Sequence, residues 1–304
     1  MAPSVNALLS LRSQGCGLVL DLLHGRLPAI VHWGADLGDI TADDAATMVH
    51  TGIAPIVANV VDEPVRVALL PEHWTGWVGR PGLSGSRAGT DWSPRFTTTR
   101  LALNGEVVDA AGPDATFLAL GAAVVEVDAS DDVAGLTLSL TIELTPSGLL
   151  RSRASLHNAS DDLYALDDLV LTYPVPPVAR ELLDFSGRWG RERVPQRRDF
   201  IVGTHLREGR KGRTGADAAT VLHAGVPGFG FGDGEVWGVH VGWSGNHTHY
   251  AERLSTGEQV VGGGELLLPG EMRLEPGEAY TSPWLYGSYG VGLDAVARRF
   301  HRHL

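Results

Sequence analysis

The sequence has a single cysteine, Cys16, and a single lysine, Lys211, in 304 residues. One cysteine excludes an internal disulfide and any cysteine-based zinc cluster. Cys16 itself reads as a small buried residue of an early strand. Positive charge is also short: 24 Lys and Arg stand against 36 Asp and Glu, a net charge of −12. Phosphate backbones need a positive field, so nucleic acid is excluded as a partner. No apolar run is long enough to span a bilayer, and the start lacks a basic stretch followed by a clean apolar core. A soluble, cytoplasmic protein with no membrane partner is expected. There is no Gly-x-Gly-x-x-Gly after a strand, no phosphate-cradling lysine loop and no strand-to-helix Gly-x-Ser-x-Gly, which removes nucleotide binding and acyl transfer. The histidines show neither His-x-Glu nor His-Glu-x-x-His spacing. No metal and no cofactor are expected.

What is abundant is alternation with a period of two. Leu136, Leu138, Leu140, Ile142 and Leu144 are separated by Thr137, Ser139, Thr141 and Glu143. A strand with one packed and one wet face requires this pattern. It recurs at Val124 to Val127, at Leu150 to Leu156, and at Trp237, Val239, Val241 and Trp243. The 39 glycines and the Pro-Gly pairs at 269–270 and 276–277 punctuate the runs as tight turns do. An all-β, antiparallel sandwich follows, and chains of this length form one such domain as readily as two. Only the end departs from it. Leu293, Val296, Ala297, Phe300 and Leu304 fall at helical spacing, so a helix begins near Gly292. It is either a linker running into a further domain or a terminal helix that packs on the sandwich.

Two loops invite attention. Residues 185–214 hold Arg188, Arg191, Arg193, Arg197, Arg198, Arg207, Arg210, Lys211 and Arg213 around Trp189. Guanidinium forks pair with carboxylates, so in an acidic chain this segment is expected to meet acidic groups of its own fold or of a partner subunit. An anion site and a solvated face are the alternatives. Trp189, flanked by glycines, offers a flat apolar face suited to a sugar ring. The second loop, His73 to Trp92, places Trp74, Trp77 and Trp92 in a Gly-rich stretch that cannot all be regular strand. Some of these indoles are expected at a surface covered by another element. His205 with Glu208, and His240 with Glu235, are the acid–base pairs that a sugar-epimerising sandwich would need.

Several stretches together resemble the family 36 α-galactosidases. They are Val31-His32-Trp33-Gly34, Leu69-Leu70-Pro71-Glu72 with Gly79-Arg80-Pro81-Gly82, Trp189-Gly190-Arg191-Glu192-Arg193, Arg207 to Gly212, and Gly234-Glu235-Val236-Trp237 followed by Ser244-Gly245-Asn246. The resemblance implies a galactose-mutarotase-like β-supersandwich over residues 1–291. It implies too that residues 292–304 start the helix leading to a catalytic (β/α)8 barrel that carries the two aspartates of a retaining hydrolase. The family's Lys-Trp-Asp motif cannot occur here, since Lys211 is followed by Gly212. No catalytic carboxylate is therefore expected in this chain. By the same resemblance the full-length enzyme is a homo-oligomer, a tetramer in similar members, acting on α-galactosides. Trp189 would contact the substrate, while Arg191, Arg193, Trp74 and Trp77 would support the loop or an interface. Family members also bring an acidic residue to the sugar from a region corresponding to about 40–65, with no closely matching pattern here. A standalone carbohydrate-binding or aldose-1-epimerase-like sandwich is the alternative.

Overall fold

The computed structural model describes residues 4–53, 58, 65–217 and 220–304. Strands dominate, arranged in sheets of four, eleven, three and four strands. The largest begins at the edge strand Arg191–Asp199. It continues through Glu181–Arg188, Val221–Gly225, Glu235–Val241, Leu285–Val291, Leu150–Asn158, Leu136–Leu144, Ala123–Asp131 and Thr97–Leu103 to Glu106–Val107, with Ala279–Thr281 also paired to Leu150–Asn158. The alternation that predicts Leu136–Leu144 is the burial pattern observed: its five apolar residues are at most 1% exposed, while Thr137, Ser139, Thr141 and Glu143 face outward. Trp243 departs from its expected place, because the strand ends at Val241 and the chain turns there. One pairing departs from the antiparallel expectation: Ala7–Ser13 runs parallel to Thr116–Leu120. The long connection between these strands, which contains other strands of the fold, permits that direction where a hairpin would not.

A continuous core fills the space between the sheets. Trp33 and Tyr173 meet edge to face at 5.1 Å. The Tyr173 hydroxyl donates to the Leu285 carbonyl at 2.8 Å and lies 2.7 Å from Ser152 Oγ, which satisfies a phenol buried away from water. Trp237 Nε1 donates to the Trp33 carbonyl at 2.8 Å, tying the first sheet to the eleven-stranded one. Cys16 is fully buried in the strand Cys16–Leu22, and burial pushes its thiol up to about 11.

Two α-helices interrupt the strands among the described residues. Helix α1, Ala42–Thr51, starts at a reciprocal cap: Thr41 Oγ1 accepts from the Asp44 N–H, and the Thr41 N–H donates to the Asp44 carboxylate. Helix α2, Leu293–His303, begins where the sequence places it. Val296, Leu293 and Phe300 pack with Leu183, Phe229 and Val236. Arg299 then spans the seam, donating to the carbonyls of Tyr289 at 2.7 Å, Gln14 at 3.0 Å and Ser147 at 3.3 Å. No helix among the described residues is long and apolar enough to cross a membrane.

Candidate functional site

The strands Glu181–Arg188 and Arg191–Asp199 form a hairpin at one edge of the eleven-stranded sheet, and Trp189 sits in its turn. The turn bends through Gly190, whose φ of 74° is costly for residues with a Cβ. The Gly190 N–H donates to Glu192 Oε1 at 2.8 Å. At 91% exposure the Trp189 indole has almost no contact with its own chain. Gly187 lets the hairpin close, since a Cβ there would stand 2.5 Å from the Arg191 carbonyl oxygen.

The base of this hairpin is pinned by Asp184, which is 2% exposed. Its carboxylate receives His205 Nε2 at 3.0 Å and Arg207 Nε at 3.1 Å, with Arg198 Nη2 at 3.9 Å. Burial alone would raise the Asp184 carboxyl, but the His205 bond and the flanking guanidinium charges hold it below the usual range. Arg207 also donates to the carbonyls of Phe185 at 3.3 Å and Asp217 at 3.1 Å. Other cations of the segment pair close by: Arg197 with Glu181, Arg210 with Glu208 and Lys211 with Asp217. The expected meeting of arginines with acidic groups is thus realised largely within the fold. The Gly212 N–H donates to Asn246 Oδ1 at 2.7 Å, which joins two segments that lie far apart in sequence.

The remaining candidates are distributed. Arg193, in a left-handed conformation with φ of 54°, lines a 340 Å³ cavity beside the hairpin with Phe185, Glu192 and Thr214. Arg191 is exposed and makes no ion pair among the described residues. Trp77 is buried beside Val170, Tyr250 and Val260, its Nε1 donating to the Arg80 carbonyl, so it supports its loop from the core and offers no surface. Trp74 is half-buried: its Nε1 donates to Glu72 Oε1 at 2.8 Å, and the Arg95 guanidinium lies 4.5 Å from its ring. Glu72 is pushed up to about 7 by burial, against the indole and the Phe96 N–H that it accepts. Trp74 lines a cavity with His24, Arg26, Arg95 and Phe96, and that cavity includes no residue of the Trp189 hairpin. Trp92 is 57% exposed.

The acid–base pairs do not converge. His205 and Glu208 are three residues apart on one strand and so face opposite sides; His205 pairs with Asp184 and Glu208 with Arg210. His240 and Glu235 are likewise on opposite sides, His240 on the Thr220 carbonyl and Glu235 accepting from the Tyr289 hydroxyl. In the 40–65 region, Asp44 is consumed by the cap of α1, and residues 54–57 and 59–64 lie outside the described residues. Asp184 escapes sequence reasoning because its partners lie 14 to 23 residues away on two other strands; its one signal was an acid in a largely apolar strand.

Comparison with known proteins agrees on one source for these features. Residues 26–275 match the glycosyl hydrolase family 36 N-terminal domain. An α-galactosidase of Escherichia coli is 34% identical over 276 residues, 90% of this chain and 36% of that protein. The α-galactosidase AgaA of Geobacillus stearothermophilus is 25% identical over 59% of this chain and 25% of its own length. The chain thus spans about a third or less of these relatives. Among solved structures, AgaA superposes with a TM-score of 0.80 at 18% identity over 96% of this chain and 42% of that one. An α-galactosidase of Lactobacillus brevis gives 0.80 at 16% identity over 99% and 41%.

Proposed function

From a chain that belongs to the glycosyl hydrolase family 36 N-terminal domain family, we propose the accessory module of an α-galactosidase, in which chemistry occurs on a separate catalytic barrel and this sandwich shapes the site. The observation that carries the reading is Trp189, 91% exposed at the tip of a hairpin anchored by His205 and Arg207 on the buried carboxylate of Asp184. A large apolar ring held out by a rigid support gains little for the stability of its own chain, but it is preorganised to pack on another body. In this reading the body is the apolar face of a terminal α-galactosyl unit bound in a barrel, in a neighbouring subunit of a homo-oligomer. Arg191 and Arg193 shape the hairpin, and Trp74 stands at a second contact surface. Residues 1–291 are the sandwich and α2 is the start of the connection to the barrel. The protein works in the cytoplasm.

The test uses a full-length protein that contains this chain. Trp189→Ala is expected to raise KM for raffinose about tenfold or more with kcat nearly unchanged, the signature of lost uniform binding. Its melting temperature should stay within about 1 °C, because the side chain contributes almost nothing to its own fold. An unchanged KM would remove the substrate contact. The chain alone is expected to release no aryl group from an aryl α-galactoside above a buffer blank, and turnover by it would place the carboxylates within these residues.

A further inference from the structure

Sheet edges present unpaired backbone N–H and C=O groups, and natural folds blunt them with charge, proline, short length or a cover. Three of the longer edge strands here are blunted. Arg191–Asp199 carries Pro195 between charged ends. Gly203–Gly209 carries His205, Arg207 and Glu208. Ala29–Ala35 is covered, since Ala29 bridges Ala68 and the Trp33 carbonyl accepts from Trp237 Nε1. The edge strand Thr116–Leu120 has none of these guards. Its sequence is Thr-Phe-Leu-Ala-Leu, and no charged residue or proline occurs from Ala115 to Val125.

The direction of the backbone fixes which groups are open. The Thr116 N–H donates to the Asn6 carbonyl at 2.9 Å, so Thr116, Leu118 and Leu120 turn their backbone groups toward Ala7–Ser13. By alternation Phe117 and Ala119 turn theirs to the other side, where no strand pairs among the described residues. Leu118 and Leu120 pack their side chains on the core, while Ala119 is exposed.

We propose that this edge is an assembly site for a second copy of the chain, whose own Thr116–Leu120 pairs with it antiparallel about a two-fold axis at Leu118, joining two four-stranded sheets. Phe117 then lies opposite Ala119 of the second copy, and each such pair exchanges N–H···O=C bonds through the groups left open. Thr116 falls opposite Leu120 and Asp114 opposite Ala122, so no like charges face each other. Charge also selects the occupant. Two copies of a chain with a net charge of −12 repel over most of their surfaces, and an uncharged edge lets them approach. The inference is independent of the role of Trp189, and a homo-oligomer held by other contacts would survive its failure.

A pair of five-residue strands is small beside a standard interface of about 1,600 Å², so the dimer is weak. Sedimentation velocity on the whole chain is expected to show a monomer–dimer equilibrium half-complete near about 100 µM. Residue-resolved amide exchange should slow about threefold or more at Phe117 and Ala119 between about 10 µM and 1 mM. Leu118 and Leu120, already bonded to Ala7–Ser13, should keep their rates. Ala119→Pro deletes an N–H that its own sheet does not use and should raise the dissociation constant about tenfold or more. If that variant does not fold, Ala119→Lys places a charge on the same edge from an exposed position and is expected to have the same effect. A chain that stays monomeric to about 1 mM, or a dimer that Ala119→Lys leaves intact, would overturn the proposal. So would protection of Phe117 and Ala119 that does not depend on concentration, which would give the edge to another segment of the same chain.

Discussion

At the scale of single residues, buried titratable groups give this chain a defined response to acid. Desolvation lowers His223 to about 4 and His249 to about 3, and it raises Glu72 to about 7. The histidines bind protons in the unfolded chain below pH 6.5 but not in the folded one, so their stabilisation is present above 6.5 and lost as pH falls. Glu72 has the opposite sign, since the folded chain keeps its proton between 4.5 and 7; its stabilisation is present below 4.5 and lost as pH rises. Between pH 6.5 and 4.5 the unfolded state gains two protons and the folded state one from these three groups. Their net contribution falls by about 1.4 kcal/mol per pH unit on acidification. Glu72→Gln removes the opposing proton and should double that slope to about 2.7 kcal/mol per unit. Thermal melts of both proteins at pH 7.0, 6.0 and 5.0 check this, and parallel curves would refute it.

Elements are held by fewer interactions, and two can be probed separately. Helix α2 docks so closely that a Cβ on Gly290 would stand 2.7 Å from Ala295 Cβ. Gly290→Val is expected to lift the helix from its sheet and cost about 1–3 kcal/mol, as overpacking does. Arg299→Ala leaves the helix in place but removes all the side-chain bonds of its guanidinium to the Tyr289, Gln14 and Ser147 carbonyls. It should cost about 1–3 kcal/mol and speed amide exchange over 293–303 selectively. Exchange that accelerates equally throughout the chain would mean that α2 is not a separate unit. The terminal helix and its apolar face are legible as a 3.6-residue period. Arg299 reaching back to Gln14 and Ser147 is not, because contacts across 285 and 152 positions leave no local pattern.

At the scale of the whole molecule, the main hydrophobic cluster is closed by several sheets, and a void opened in it is felt well beyond one strand. Leu140→Ala, at a position 1% exposed in the middle of the largest sheet, should destabilise the chain by about 2–5 kcal/mol in denaturant titration. A loss below about 1 kcal/mol would mean that the inward face of this sheet is not closely packed.

The all-β class, the strands with strict alternation, the start of the last helix and the burial of Cys16 are legible in the order of residues alone. Each is dictated by the short-range period of side chains along a backbone. The family motifs likewise stand in the chain in order. Tertiary structure alone decided that Trp77 belongs to the core while Trp189 is held in solvent, since both are tryptophans in Gly-rich segments and differ only in what the rest of the fold brings against them. It also decided that Asp184 gathers His205, Arg198 and Arg207, and that Thr116–Leu120 lies at the open edge of its sheet. Such sites are made by strand order and sheet packing, which depend on the sum of many distant contacts and not on the spacing of any one segment.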